Sequence, residues 1–374
     1  MSVRRIRAVF RKEMLHIVRD SRSLYIALAI PIVLLLLFGY ALTLDVDQIP
    51  TVMDDRDQTV HSRELAERFR ASRYFSVRAE AGDTLRRMDR SETLLAIAIL
   101  PGFSRAIERG ETAQVQLVLD GSDSNTASIA LGYAEGMVSY YAAELREEVA
   151  NRRGAAKPKL PVEPRIRVLY NSELKSRNYI VPGLIAVILM IISALLTSLT
   201  IAREWETGTM EQLLSTPVRA EELVLGKLGA FFVVGVVDMV LSLLVGLLVF
   251  KVPLHGNLWL LMGTSFIFLF GALCWGLMIS AAMRNQLLAY QLGMITSFLP
   301  AFMLSGFIYA IESMPRAVQA FTYLIPARYF ITITKGVFLK GIGAELLWVE
   351  ILLLLLYAVI VFLFATRKLR QKIA

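Results

Sequence analysis

Apolar residues gather into six long runs, each near or beyond the ~20 residues that an α-helix needs to cross a bilayer. They occupy 24–44, 179–202, 228–250, the later part of 252–283, 285–311 and 346–366. The second has no charge and the third has one, Asp238; the sixth carries Glu350 near its start. The uncharged run 252–283 leaves room for a short loop, VPLHGN, ahead of its span. Hydrocarbon offers no partner to a backbone N–H or C=O, so each run is expected to close its hydrogen bonds internally as a helix. The pattern predicts a multi-pass α-helical membrane protein with six transmembrane helices.

Two segments follow other periods. Residues 1–23 form a basic amphipathic helix, with Val3, Ile6, Phe10, Met14 and Ile17 on one face and Arg4, Arg7, Arg11 and Lys12 around the rest. Such a helix is expected to lie in the inner membrane interface and turn into the first span at 24–44. A signal peptide is disfavoured because the apolar run is too long for an h-region. The insert 45–178 alternates strand-like and helical stretches: strands at 49–54, 73–80, 93–100, 113–120 and 165–170, helices at 62–72, 83–92, 102–110 and 124–153. A Lys/Pro linker at 155–164 precedes the last strand. This predicts a small α/β domain outside the membrane, with a core of its own. Its Asp54, Asp55 and Asp57 fit a strand-end turn better than a cation site.

Composition agrees with a membrane protein: 56% of residues are hydrophobic, 19% are charged, and mean hydropathy is +0.56. Lys and Arg outnumber Asp and Glu by 40 to 32, and many of them lie before the first span, in 203–227 and after Thr366. Those segments are therefore expected in the cytoplasm with both termini, 367–374 being a basic tail. The net charge of +8 reads as a topology signal and an attraction to anionic lipid, not as nucleic-acid binding. Cys274 is the single cysteine, so no intrachain disulfide forms, and His16, His61 and His255 lie too far apart in sequence for local metal-ligand spacing.

The segment 203–227 between the second and third spans is the most punctuated polar stretch. Gly208 interrupts the helix leaving span two, and Thr209 with Gln212 has the spacing of a capping box that starts a new one. Met210, Leu213 and Leu214 share a face of it. Ser215-Thr216-Pro217 then ends this helix, with Thr216 expected as N-cap and Pro217 as first residue of the next. A connector lying on lipid is one reading. Five Glu against three basic residues make such a segment a poor lipid binder and favour a protein partner.

The ordered motifs YNSELKSRNYIVPGLIAVIL (170–189), AREWETGTMEQLLSTPVRAEELVLGKL (202–228), LSGFIYAIESMP (304–315) and YLIPARYFITITKGVFLKG (323–341) resemble membrane subunits of ATP-binding-cassette exporters of the type-2 permease class, in the subgroup with a large outer domain between spans one and two. The resemblance covers nearly the whole chain. It departs at Ser172 and Ala310, where relatives often have Pro, and at Gly229-Ala230, where Leu-Pro is frequent. It implies that Thr209 to Leu214 docks on a separate ATP-binding subunit, with Glu204, Glu206 and Glu211 as polar contacts, Met210, Leu213 and Leu214 as packing, and Gly208, Gln212 and Pro217 shaping the turn. The chain has no G-x-x-x-x-G-K-[ST] phosphate loop, so ATP and Mg are expected on the partner and no cofactor or catalytic residue on this chain. The resemblance also implies a dimer with a second copy or a sibling, a substrate path between them for an amphipathic or lipid-like compound or a drug, a bacterial inner-membrane location, and service to a periplasmic membrane-fusion adaptor. Asp238, costly at the centre of a span, is a candidate for that path or for an interhelical contact. In the outer segment 312–345, Glu312, Tyr329 and Phe330 are candidates for a gate, with an aromatic belt as the alternative. A membrane-anchored envelope receptor or assembly factor would not need the capped cytoplasmic segment, and an ion-coupled secondary transporter would be expected to show matched repeats.

Overall fold

The computed structural model describes residues 1–42, 47–79, 84–152, 169–171 and 175–373. The chain divides into two units, Leu44–Arg167 and a second made of Met1–Thr43 with Val168–Ala374. It opens with α1 (Val3–Arg19) and α2 (Ser21–Ala41), parted at Asp20. The insert follows as β1 (Ile49–Asp55), α3 (Val60–Ala71), β2 (Phe75–Ala79), α4 (Thr84–Asp89), β3 (Leu95–Ile99), α5 (Phe103–Arg109), β4 (Val115–Leu119) and α6 (Ser124–Arg152).

The insert is the α/β domain that its alternating pattern predicts. Its sheet has the order β2-β1-β3-β4, with β1 parallel to β2 and β3, and β4 antiparallel to β3. Leu65 and Phe69 of α3 and Tyr141 of α6 pack with Phe75, Ile97 and Ile99 of the strands. The Asp-rich stretch is a turn: Asp57 accepts hydrogen bonds from Thr59 Oγ1 (2.5 Å), Gly102 N (2.6 Å) and Ser104 N (3.0 Å). These donors, the Thr59 hydroxyl foremost, hold its carboxyl below the usual range. The linker expected at 155–164 lies outside the described residues. So does the strand at 165–170 except Leu169 and Tyr170, neither of which is in a strand.

The helical unit resumes with α7 (Ser176–Ser198), α8 (Thr200–Glu206), α9 (Thr209–Leu214), α10 (Ala220–Leu244) with a π-turn at Val245–Val249, α11 (Leu258–Ala282) and α12 (Gln286–Met303). A 3-10 turn (Ile311–Ser313), α13 (Arg316–Thr322), α14 (Pro326–Lys335) with a π-turn at Gly336–Lys340, and α15 (Ala344–Ile373) complete it. Among the described residues four helices are long and apolar enough to cross a membrane: Ser176–Glu206, Ala220–Val249, Leu258–Ala282 and Ala344–Gln371. The first of these is central, with 78% of its apolar window buried inside the protein, and the last is peripheral, with 22%. Helix α2 adds a shorter apolar stretch, Ala27–Ala41. Helix α12 stops at Met303, short of 311, and the chain turns through Gly306 at φ +80°. The basic tail beyond Thr366 continues α15 as helix.

Two contacts fix the centre. Gly276 of α11 lies so close to α7 that a Cβ there would stand 2.2 Å from both Ala194 O and Thr197 Oγ1. Within the span Ser176–Glu206 the hydrogen-bond ladder is interrupted at Leu199, between α7 and α8. Ser280 Oγ accepts from both Ile201 N and Ala202 N at 2.9 Å and so satisfies two amides at the start of α8.

Candidate functional site

The punctuation of 203–227 produces the short helix at the expected place. Gly208 takes φ +74°, a left-handed conformation that costs other residues roughly 1–2 kcal/mol, and α9 runs from Thr209 to Leu214. The caps differ from expectation. Gly208 is the N-cap, Thr209 is already helical, and its hydroxyl meets Thr207 Oγ1 (3.1 Å) and Glu204 O (3.4 Å), so no Thr209–Gln212 capping box forms. Ser215 and Thr216 donate back to Gln212 O (2.8 Å) and Leu213 O (2.6 Å), closing the C-terminus of α9. Thr216 and Pro217 do not start α10. Glu222 accepts from Arg219 N at 3.1 Å, which places the helix start at Ala220, and Pro217 stays in the exposed turn with its carbonyl accepting from Arg5 at 2.5 Å.

Helix α9 has an anchored side and an open side. Met210 is 0% exposed and packs in a cluster with Val9, Ile201, Leu223, Val224 and Leu277, with Leu213 partly buried beside it. Thr209, Glu211 and Gln212 are exposed, and the Leu214 side chain lies outside what the structure describes. Glu204 points inward at 6% exposure. Glu206 is exposed, and its Oε2 accepts from Gln286 N at 2.9 Å, capping the first turn of α12.

Glu204 belongs to a buried ion cluster that sequence reasoning did not find. Lys227 of α10, 1% exposed, places Nζ 2.9 Å from Oε1 of both Glu13 and Glu204. Lys12 adds contacts of 2.7 Å to Glu204 and 3.1 Å to Glu13. Helices α1, α8 and α10 thus meet on two carboxylates and two ammonium groups. Burial works against the charge on Glu13, but Lys227 and then Lys12 outweigh it and hold the carboxyl below its usual range. Burial likewise opposes the charge on Lys12, and Glu204 with Glu13 raises it overall. A second clamp lies nearby, where Glu222 accepts from Ser2 N (2.6 Å) and pairs with Arg5 (3.5 Å). Helix α1 therefore lies along α10, turning Val9 and Glu13 inward, while Val3, which spacing placed on the apolar face, is 79% exposed. A lone acid at position 13 of an otherwise basic amphipathic helix was the signal available in sequence.

The remaining candidates sit elsewhere in the bundle. Asp238 is 1% exposed, and both its oxygens lack a partner among the described residues, as does the buried hydroxyl of Ser242 one turn further along α10. In the outer segment Tyr329 and Phe330 are packed in the bundle core. The Tyr329 hydroxyl donates to Tyr323 O (2.7 Å), and Phe330 stacks on Phe268 with centroids 4.2 Å apart. Exposed aromatics there are Phe321 and Tyr323, and Glu312 is exposed. Lys335, at the end of α14, donates to Gly306 O (3.0 Å) over the ring of Tyr179 (3.5 Å). Among the described residues no group of His, Cys, Asp and Glu is placed to hold a metal.

Residues 22–367 match the family described as ABC-2 family transporter protein. The chain is 36% identical over 362 residues to the probable multidrug ABC transporter permease YbhS of Escherichia coli, spanning 96% of this chain and 95% of that one. It is 33% identical over 347 residues to the probable multidrug ABC transporter permease YbhR, spanning 92% of each. Against the inner membrane transport permease YhhJ identity is 27% over 330 residues, spanning 87% of this chain and 86% of the other. The family match takes in α9, α10 and the outer segment. Permeases of this family are transport subunits, not catalysts, and work with a separate ATP-binding cassette. A membrane-embedded helical unit whose residues match over this length belongs to the ABC-2 family of transporter proteins.

Proposed function

We propose that the chain is the permease of an ATP-driven exporter, and that the open side of α9 is where the ATP-binding subunit docks. The observation that carries this reading is the two-sidedness of α9: Met210 is fully buried against α8, α10 and α11, while Thr209, Glu211 and Gln212 face outward. A load applied to the exposed side enters α8 and α10 together, because Glu204 and Lys227 tie both to α1. Closure of a nucleotide-bound partner then tilts these helices as one body, with flexure at the Leu199 break. Glu204 and Met210 thus transmit the load from within, Glu211 and Gln212 make contact, and Glu206 lies at the rim.

The reading includes six spans with both termini in the cytoplasm of a bacterial cell, in its inner membrane. Helix α2 has 21 residues and α12 has 18, lengths of about 32 and 27 Å at 1.5 Å per residue, close to the hydrocarbon thickness. The end carrying α1, α8 and α9 is the basic one, which supports its cytoplasmic placement. Two copies, or this chain and a sibling, enclose the path. ATP and Mg reside on the partner. The substrate is an amphipathic or lipid-like compound or a drug, in keeping with the multidrug names of the relatives, and Asp238 faces its path. Glu312, Tyr329 and Phe330 belong to the outer gate, and the α/β insert hands cargo to a periplasmic membrane-fusion adaptor.

The test is a tagged purification in mild detergent, followed by a Glu211→Lys, Gln212→Lys variant. Wild type should carry an ATP-binding subunit whose hydrolysis responds to drugs. The variant, altered only on exposed positions, should lose both with unchanged thermal stability. Full capture and full stimulation in that variant would remove α9 as the docking site.

A further inference from the structure

Helix α1 uses one face on the bundle and leaves the other open. Val9 and Phe10 enter α10 at two glycines; a Cβ at Gly226 would lie 2.6 Å from Val9 Cβ, and one at Gly229 would lie 3.1 Å from the Phe10 ring. At ~100° per residue the opposite face carries Arg4, Arg7, Arg11, Leu15 and Val18, an i, i+3, i+7, i+11, i+14 stripe. All five are exposed. Among the described residues none of the three guanidinium groups is in an ion pair or a hydrogen bond. The ion pairs of α1, through Arg5, Lys12 and Glu13, lie on the side that meets α10.

The height of this stripe follows from the length of α10. Ala220–Val249 has 30 residues, about 45 Å at 1.5 Å per residue against a hydrocarbon core of ~30 Å. About a third of it therefore stands clear of the hydrocarbon, and its charged end, with Glu221, Glu222 and Lys227, is where α1 packs. That sets α1 at headgroup level. The stripe is graded along its length: arginines occupy the first half, and Leu15 and Val18 the half that leads into α2. Unpaired cations beside exposed aliphatic side chains match the headgroup and acyl boundary. An acidic protein surface would match the arginines and leave Leu15 and Val18 unexplained.

We propose that Arg4, Arg7 and Arg11 form a binding surface for anionic phospholipid headgroups, with Leu15 and Val18 entering the acyl boundary beside them. This goes beyond the docking of an ATP-binding subunit at α9 and does not depend on it.

The full-length chain is reconstituted in nanodiscs of mixed phosphatidylglycerol and phosphatidylcholine, re-extracted, and the lipid retained on it is counted by native mass spectrometry. Wild type should retain phosphatidylglycerol in excess of its share. Near an anionic surface each basic side chain is worth roughly fivefold in binding, so Arg4→Gln, Arg7→Gln, Arg11→Gln should lower the preference by up to roughly a hundredfold. The corresponding triple Lys variant should keep most of it, since the attraction is to charge and not to a guanidinium fork. Raising ionic strength should weaken the wild-type preference without any variant, which tests the idea even if the glutamine protein is unstable. An undiminished preference in the glutamine variant, or a wild-type preference insensitive to salt, overturns the proposal. A glutamine variant that keeps its lipid preference and loses its ATP-binding subunit also overturns it and reassigns the face to protein.

Discussion

Lys227→Met removes the buried cation at the junction of α1, α8 and α10 and leaves Glu13 and Glu204 with Lys12 alone. Breaking a buried pair by deleting one partner typically costs ~3–5 kcal/mol, because the surviving charge stays out of water. Here the protein has one escape, protonation of a carboxyl. With an ordinary Glu value near 4.3, taking up that proton costs about 4 kcal/mol at pH 7.5 and about 1.6 kcal/mol at pH 5.5. The penalty is therefore capped, and the cap falls as pH falls. In wild type the Glu13 value is depressed, so its contribution is present above the unfolded value and is lost only as pH drops through the folded one. In the variant the sign reverses: a carboxyl raised above its unfolded value destabilises at high pH and is relieved as pH drops.

Thermal unfolding in detergent at the two pH values reads this directly. At ~2–4 °C per kcal/mol for a unit of this size, the variant should lose about 6–12 °C relative to wild type at pH 7.5 and less than half of that at pH 5.5. Lys227→Met with Glu13→Leu, which leaves Lys12 paired with Glu204, should recover most of the loss, since a buried pair replaced by apolar side chains is near neutral. An equal deficit at both pH values, or no recovery in the double variant, would show that Lys227 acts by packing and not by charge.

Ser280→Ala leaves Ile201 N and Ala202 N without their shared acceptor; at ~1–3 kcal/mol for an unsatisfied buried group the protein should melt several degrees lower, while Ser280→Thr retains the hydroxyl and most of the stability. Gly276→Ala places a methyl group 2.2 Å from the Ala194 carbonyl and should prevent close packing of α7 on α11, seen as loss of folded protein by size-exclusion chromatography. Asp238→Asn removes a carboxylate whose oxygens have no partner among the described residues; stability should be unchanged or higher by calorimetry, and export of cationic compounds should fall at least tenfold relative to neutral ones. Equal export of both would remove Asp238 from the substrate path.

What could be read from the chain in advance separates by the range of the interactions. The bounds of α9 were legible because they are local: Gly208 supplies the left-handed residue, and Ser215 and Thr216 bond carbonyls three residues back. The α/β alternation of the insert was legible for the same reason, and strand order was not, since β1 pairs with both β2 and β3 across intervening helices. The start of α10 was misplaced because two local codes compete. Thr216-Pro217 has the form of a cap, but Glu222 captures the amides of Arg219 and of Ser2, 220 positions away, and the long-range bond settles the choice. The same distance explains Glu204. By composition it is one of five acids in a polar connector, yet its inward turn is fixed by Lys12, 192 positions earlier, while Lys227 reaches Glu13 across 214. A carboxylate at an inner loop is expected to seek a partner protein unless the fold provides its own cation, and here α1 does. That is why, of the five acids, Glu204 and Glu222 are taken up inside the protein while Glu211 and, at the rim, Glu206 are the exposed ones, and why a charge reversal at Glu204 would report on the stability of the α1–α8–α10 junction rather than on docking.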